Sequence, residues 1–528
     1  MRKRCNIVDI VIVAVAVLLL CLIFLPVFLM PKKESGGIAD ENGDGQVTLE
    51  DYSGKKIGVI SGVDYDAILS ACVPGAKTEY YDSYPDLIVA LKAGVIDAVA
   101  LDGPSLDVIM NQDPYVGKVP EPMETWYMSF AFSDKSEIPG LNLQMNEFLH
   151  TISENGTMQE INDVWFGADD SVKVIPPLEN LSGENGTVRV ALETTYEPIV
   201  YVKDQEIVGY EPDILYRFCE YYHYGLEYMP MQYDAVLPAV VTGKCDIGGS
   251  GLEYTEDHAD SITMSEPHLT SRSFLAVPIT DLPEGQDYSE EKAGLWERIY
   301  SSIDKNLLQE NRWMLIVEGI GTTCFITFFS TLFGTLIAFG MCLLRRTKSR
   351  LANPLCDRYI RLFQGIPIVI LLMILFYVIL NDSGMEAVWV AVIGFSISYS
   401  AHFGEIMQSG LDSVDKGQEE AALALGYTKN EAFFRFMFPQ AAVRFLPVYR
   451  GELVTLLNDT SVVGYIAVQD LTKMSDIIRS RSYEAFLPLI LSTLIYFLLA
   501  RLITLLIDAL LKLISTKRRG SMAGGEKA

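Results

Sequence analysis

The sequence predicts a multidomain protein, an acidic α/β part followed by an all-α membrane domain. Three observations carry that reading. Five apolar runs of membrane length fall at about 313–344, 359–380, 388–409, 441–466 and 485–512. Residues 46–280 instead alternate short apolar strands with helical patterns. The formal net charge is -27, and the apolar runs carry few charges, so the acid lies mainly between the first apolar run and residue 310. Such a surface argues against nucleic-acid binding, which needs a basic face.

Taken in order, residues 1–30 read as an uncleaved anchor helix, because residues 7–30 exceed the length of a signal peptide's apolar region and no A-x-A-like exit follows. Arg2, Lys3 and Arg4 place its start in the cytoplasm. Residues 31–55 are an acidic linker. Within it, "DENGDGQVTLED" matches calcium-loop spacing, with Asp40, Asn42, Asp44 and Asp51 as candidate ligands and Gly45 at the turn. No other cofactor is expected, and no phosphate-cradling G-x-x-x-x-G-K-[ST] occurs. Cys72, Cys219 and Cys245 are an odd set in the soluble part, which leaves room for at most one disulfide.

The soluble part continues with "KIGVI" and "DAVALD" as strands and "SYPDLIVALKAG" as a helix with a glycine stop. In the membrane part, basic turns test the topology. "RRTKSR" ends the first run after the soluble region and "KRR" (517–519) ends the last, so the five spans of 311–515 leave the tail 516–528 in the cytoplasm. The same parity places "QEEAALALG" (418–426) there. That stretch is helix-forming, with a small-residue face and a glycine stop, and a groove on another protein could approach it closely.

Glu420-Ala421-Ala422, Gly426, Phe436, Phe438 and Pro439 resemble the EAA loop of ABC-importer permeases, with phenylalanines replacing aliphatic residues. "VEGIGTTCFITFFSTLFGTLIA", "RLFQGIPIVI" and "LLNDTSVVGYIAV" resemble the polar amino-acid permeases in order and spacing, over about 310–515. The resemblance implies the all-α membrane domain of a type I importer permease. It implies a separate cytoplasmic ABC ATPase seated on Glu420, Ala421, Ala422 and Gly426, a homodimer through this domain, and no catalysis by this chain. The family has a lysine before the aspartate of "DTS", whereas Asn458 precedes Asp459 here. Asp459 is a translocation-path candidate or a wet residue at the outer end.

Residues 46–170 resemble the second lobe and C-terminal helices of amino-acid-type solute-binding proteins, and residues 188–280, beyond a linker at 171–187, resemble their first lobe. The implied fold is an α/β two-lobed, periplasmic-binding-protein-like domain with its lobes permuted, joined to the membrane domain by a linker at 281–310. One chain forms the clam, or two protomers complete each other's halves. The resemblance puts Asp102 at the ammonium-binding position and Tyr196 at the aromatic position. His258 stands where a carboxylate-binding arginine is expected, Glu253 replaces a small residue near Thr255, and Asp64 falls in place of a hydroxyl. A cleft with Asp64, Asp102 and Glu253 and no arginine repels carboxylates and favours a cationic amine. A polar amino acid bound in modified fashion is the alternative. The expected function is import of such a solute by an ABC permease with a fused substrate-binding domain. The rival from another class is a ligand-gated receptor or channel, which would have no use for an EAA loop.

Overall fold

The computed structural model describes residues 47–524 apart from 62–64, 82, 254–261, 284–294, 348–349 and 485. The anchor run, Asp40, Asn42, Asp44, Asp64, Thr255 and His258 lie outside the described residues.

One lobe begins with three parallel strands, β1 Lys56–Ile60, β2 Lys77–Tyr81 and β3 Ala98–Asp102. Helices α1 Tyr65–Cys72, α2 Tyr84–Lys92 and α3 Gly103–Gln112 follow them in turn. Local chemistry fixes the helix starts. Ser83 caps α2, accepting from the Asp86 amide, with Pro85 in its first turn. Asp102 caps α3, accepting from the Ser105 amide at 3.1 Å, with Pro104 in its first turn. After β4 Val116–Lys118 the chain crosses to the other lobe through β5 Thr125–Met128 and β6 Ala131–Phe132. Helices α4 Leu141–Glu154 and α5 Thr157–Trp165 come next.

The other lobe holds β7 Thr187–Leu192, β8 Thr195–Tyr196, β9 Val200–Lys203, β10 Glu206–Val208, α6 Tyr210–Tyr221, β11 Gly225–Pro230, α7 Tyr233–Thr242 and β12 Ile247–Gly248. A second crossing, β13 Thr263–Met264 and β14 Leu269–Pro278, returns the chain to the first lobe. The sheet orders are β2-β1-β3-β14-β4 and β11-β7-β12-β6-β13. β14 lies antiparallel to β3, with Ser273 opposite Asp102, and β6 lies antiparallel to β12, with Phe132 opposite Ile247. Each lobe's sheet therefore contains a strand from the other half of the sequence, and one chain completes both.

This corrects two expected boundaries. Residues 269–278 belong to the sheet of the first-described lobe rather than to lobe one, and residues 131–132 belong to the sheet of lobe one. Strand periodicity says nothing about pairing partner, so a sequence reading assigns such strands to their neighbours in the chain. α4 and α5 also attach to lobe one, where the buried Trp165 indole donates to Asp213 at 2.9 Å. Cys72, Cys219 and Cys245 are all free thiols.

The expected linker at 281–310 contains a helix, α8 Leu295–Ile303. The membrane domain then runs α9 Trp313–Arg346, α10 Ala352–Gln364, α11 Ile368–Ile374, α12 Ala387–Asp412, α13 Lys416–Ala424, α14 Phe438–Asp459, α15 Leu471–Ser482 and α16 Phe486–Gly524. Helices at 313–346, 387–412 and 486–509 are long and apolar enough to cross a bilayer. The expected span at 359–380 is instead a pair, 352–364 and 368–379, bent by 103°. Gly365-Ile366-Pro367 forms the break, where proline lacks the amide that would continue the helix. The run at 441–466 is helical to Asp459, then tightens into a 3-10 turn over Thr460–Ile466. Arg444, Arg450 and Glu452 keep that helix below the apolarity of the others.

Small residues set the helix packing, as lipid-embedded helices require. Gly319 of α9 lies against the backbone at the start of α15, and an added Cβ would come within 2.7 Å of the Leu471 Cα. The Thr323 hydroxyl of α9 accepts from the Leu471 amide at 3.3 Å. Gly319→Ala is therefore expected to cost about 1–3 kcal/mol, read as a lower thermal midpoint of the full chain, because backbone cannot yield as a side-chain end does. Gly321, with open space around it, is the control, and Gly321→Ala should be nearly neutral.

Candidate functional site

The two lobes meet at β3, α2 and β8. Asp102, at the end of β3, is 2% exposed and accepts from the Tyr196 hydroxyl at 2.6 Å. Tyr196 is supplied by β8 of the opposite lobe, and its ring stacks on that of Tyr84 from α2, with centroids 4.7 Å apart and planes 7° from parallel. The geometry is a closed cleft in which one lobe's aromatic covers the other lobe's carboxylate. Tyr65, also buried, lies within electrostatic reach of both Asp102 and Glu253. Glu253 follows the buried turn at Ser250–Gly251, whose amides donate to the buried Glu211 carboxylate at 2.5 and 2.8 Å. Burial raises the Asp102 carboxyl above the ordinary carboxylate range, and the Tyr196 and Ser105 hydrogen bonds offset this only partly. No lysine or arginine among the described residues bonds Asp102.

Of the expected cleft residues, the structure brings together Asp102 and Tyr196 directly and sets Glu253 opposite Met128, within electrostatic reach of Tyr65. Tyr65 and Tyr84 were not anticipated; each lies close to a residue that was, but aromatic residues so placed are as often core. Asp51, expected as a calcium ligand, accepts the Thr48 amide at 2.8 Å and so closes a capping box at the start of the first turn of lobe two. Asp459 sits half-buried at the end of α14, within electrostatic reach of His402 and Glu452.

A second set of residues joins the clam to the membrane domain, and all of them escaped the sequence reading. α15 lies against both lobes. Lys473 pairs with Glu193 of lobe one at 3.0 Å, and Arg479 pairs with Asp86 at the start of α2. Arg481 pairs with Glu197, one residue after β8, and with Glu310 of the stalk, residues 304–312 between α8 and α9, at 2.7 Å, while its guanidinium covers the Tyr201 ring at 4.6 Å. Burial raises the Glu310 carboxyl, but Arg481 and Arg312 outweigh it and hold it below the ordinary carboxylate range. Tyr483, just past α15, has φ +49 and is buried among Leu87, Ile88 and Leu101 of the first-described lobe. A left-handed tyrosine is costly, and persists where its surroundings fix it. The signal for this contact was present in "KMSDIIRSRSYE". Three cations stand between two apolar runs on the side where such loops carry few.

At the far end of α9, Arg346 donates to the Lys429 carbonyl at 3.0 Å and covers the Phe433 ring. The 34-residue helix α9 thus separates α13 from the clam by roughly 50 Å. In α13, Glu420 and Ala421 are exposed and Ala422 is buried. Gly426 follows at φ +88, a conformation that ends a helix at no cost only for glycine. Leu423 and Leu425 point outward, Leu425 being 76% exposed.

A two-lobed α/β clam is thus joined by α15 to a bundle of helices, three of them long and apolar enough to cross a bilayer. Residues 330–520 match the family described as binding-protein-dependent transport system inner membrane component. The arginine transport system permease protein ArtQ of Bacillus subtilis (strain 168) is 30% identical over 191 residues, 36% of this chain and 87% of that protein. The probable amino-acid ABC transporter permease protein YckA of Bacillus subtilis (strain 168) is 33% identical over 203 residues, 38% of this chain and 88% of that protein. Among solved structures, "Crystal structure of an amino acid ABC transporter with histidines" is 26% identical with a TM-score of 0.36, and covers 42% of this chain and 99% of its own. The chain belongs to the family of binding-protein-dependent transport system inner membrane components. It is an integral membrane transport subunit, not an enzyme.

Proposed function

We propose that this chain is the permease of an ABC importer for a cationic amino acid or related amine, with its own binding domain fused in front. The observation that carries the reading is the buried Asp102 carboxylate at the hydroxyl of Tyr196, which stacks on Tyr84, with Glu253 and Asp102 both within electrostatic reach of Tyr65. A buried carboxylate that no lysine or arginine among the described residues bonds attracts a cation by charge and offers it charge-assisted hydrogen bonds. Relatives named for arginine, glutamine and L-cystine transport support an amino-acid solute more broadly. In this reading the clam faces outward, solute replaces the Tyr196–Asp102 hydrogen bond, and α15 passes closure to the membrane helices. Two copies pair to enclose the path, with Asp459 along it. A separate ATPase seats on α13 in the cytoplasm, and the 40–51 segment holds calcium.

The test is uptake into proteoliposomes of the chain reconstituted with its ATPase, comparing L-arginine, putrescine and L-glutamine. Uptake of L-glutamine alone would sink the cationic reading. An ion current without ATP would favour a ligand-gated channel. Leu425→Asp places a charge where an apolar groove is expected. It should cut co-purification of the ATPase by about tenfold or more, as loss of one buried anchor does, while leaving the thermal midpoint of the chain within about 1 °C.

A further inference from the structure

A cavity of about 740 Å³ lies where the clam, the stalk and α15 meet, and its lining includes neither Asp102, Tyr196 nor Glu253. Helix α3 and strand β14 form one wall, the segment after α5 a second, and stalk residues 305–312 with Arg481 the rest. Its volume falls within the range of small-molecule sites.

Charge decides what it would hold. All four carboxylates in the lining already have cations. Asp107 pairs with Lys118 at 2.6 Å and Asp170 with Lys203 at 3.0 Å. Glu197 pairs with Arg481, and Glu310 pairs with both Arg312 and Arg481. Three further cations in the lining, Lys173, Arg272 and Lys305, have no carboxylate within ion-pair distance among the described residues. Lys173 is only 6% exposed, and its ammonium makes no hydrogen bond to any described residue. Burial also holds Lys305 below the ordinary lysine value, although Glu484 and Asp113 act against it from beyond ion-pair distance. Three cations lining one cavity, each without a paired carboxylate among the described residues, repel one another. An oxyanion placed among them removes that penalty, and the guanidinium and ammonium donors match its geometry.

We propose that this junction cavity is a binding site for an oxyanion, of carboxylate or phosphate type, held by Lys173, Lys305 and Arg272. The site is separate from the solute cleft, so it stands or falls independently of the solute. The anion has two sources, a free anion from the medium or the phosphate of a lipid headgroup at the foot of the stalk.

The experiment uses the full chain in phosphatidylcholine nanodiscs and follows its thermal midpoint at constant ionic strength, with chloride as the balancing salt. Millimolar citrate or inorganic phosphate should raise the midpoint by several degrees. The shift should vanish in Lys173→Gln/Lys305→Gln and persist in Lys173→Arg. A rise in phosphatidylglycerol nanodiscs without added anion, absent in the double variant, would assign the lipid source. The proposal is overturned if neither free anions nor anionic lipid move the midpoint, or if they move the double variant as much as the parent. Should the double variant show no cooperative transition, the exposed Arg272→Gln decides, since a bound anion would show a reduced shift there and an unspecific effect would not.

Discussion

Asp102→Asn in the full chain is expected to lower affinity for L-arginine or putrescine by about 100-fold or more, about 3 kcal/mol, without loss of thermal stability. The two effects separate because Asp102 has two functions. Its carboxylate caps α3 through the Ser105 amide, and asparagine caps a helix equally well. Only aspartate supplies the charge that a buried ammonium needs. Calorimetric titration measures the first effect and differential scanning the second. Unchanged affinity in a folded Asp102→Asn protein would remove Asp102 from the solute site.

The same residue predicts a pH dependence of definite sign. Because burial raises its carboxyl, Asp102 binds a proton more tightly in the folded clam than in the unfolded chain. Its contribution to folded stability is full below the ordinary carboxylate value of about 3.9 and is lost as pH rises through the raised value. A cation competes with that proton. Affinity for L-arginine should therefore fall as pH is lowered through the raised value, and Asp102→Asn should flatten the curve.

Arg481→Ala is expected to detach the clam from α15. Glu197 is 5% exposed, and it and Glu310 share Arg481. Removing one partner from such buried pairs costs about 3–5 kcal/mol, since the remaining carboxylate is left without its counter-charge. Cysteines placed by Glu193→Cys and Lys473→Cys report the contact, because those residues pair at 3.0 Å in the parent. Their rate of disulfide formation should fall by about tenfold or more when Arg481→Ala is added. Arg481→Lys should recover only part of it, because one ammonium cannot reproduce the fork that serves two carboxylates and covers the Tyr201 ring. An undiminished rate would show that the clam is held elsewhere.

Much of the architecture was legible in residue order. Strands "KIGVI" and "AVALD" and helix Tyr84–Lys92 follow from local patterning, because burial on one face and a capping residue are properties of a short window. The break between α10 and α11 was legible too, in Gly365 and Pro367, but an unbroken count of apolar residues hid it. Tyr84 and Tyr65 could not be chosen over other tyrosines, since nothing within a window shows which aromatic will lie near a carboxylate on another element of the lobe.

The sequence by itself determined that this chain joins an acidic α/β region to a helical membrane domain with an acidic, small-residue helical stretch at 418–426, because hydropathy and helix signals are local. Only the tertiary structure decided that β14 and β6 exchange lobes, that Tyr196 closes over Asp102, and that Lys473, Arg479 and Arg481 hold both lobes. Each of these joins residues tens to hundreds of positions apart, and such pairings are fixed by sheet registry and charge complementarity across the folded chain, which no short stretch of sequence contains.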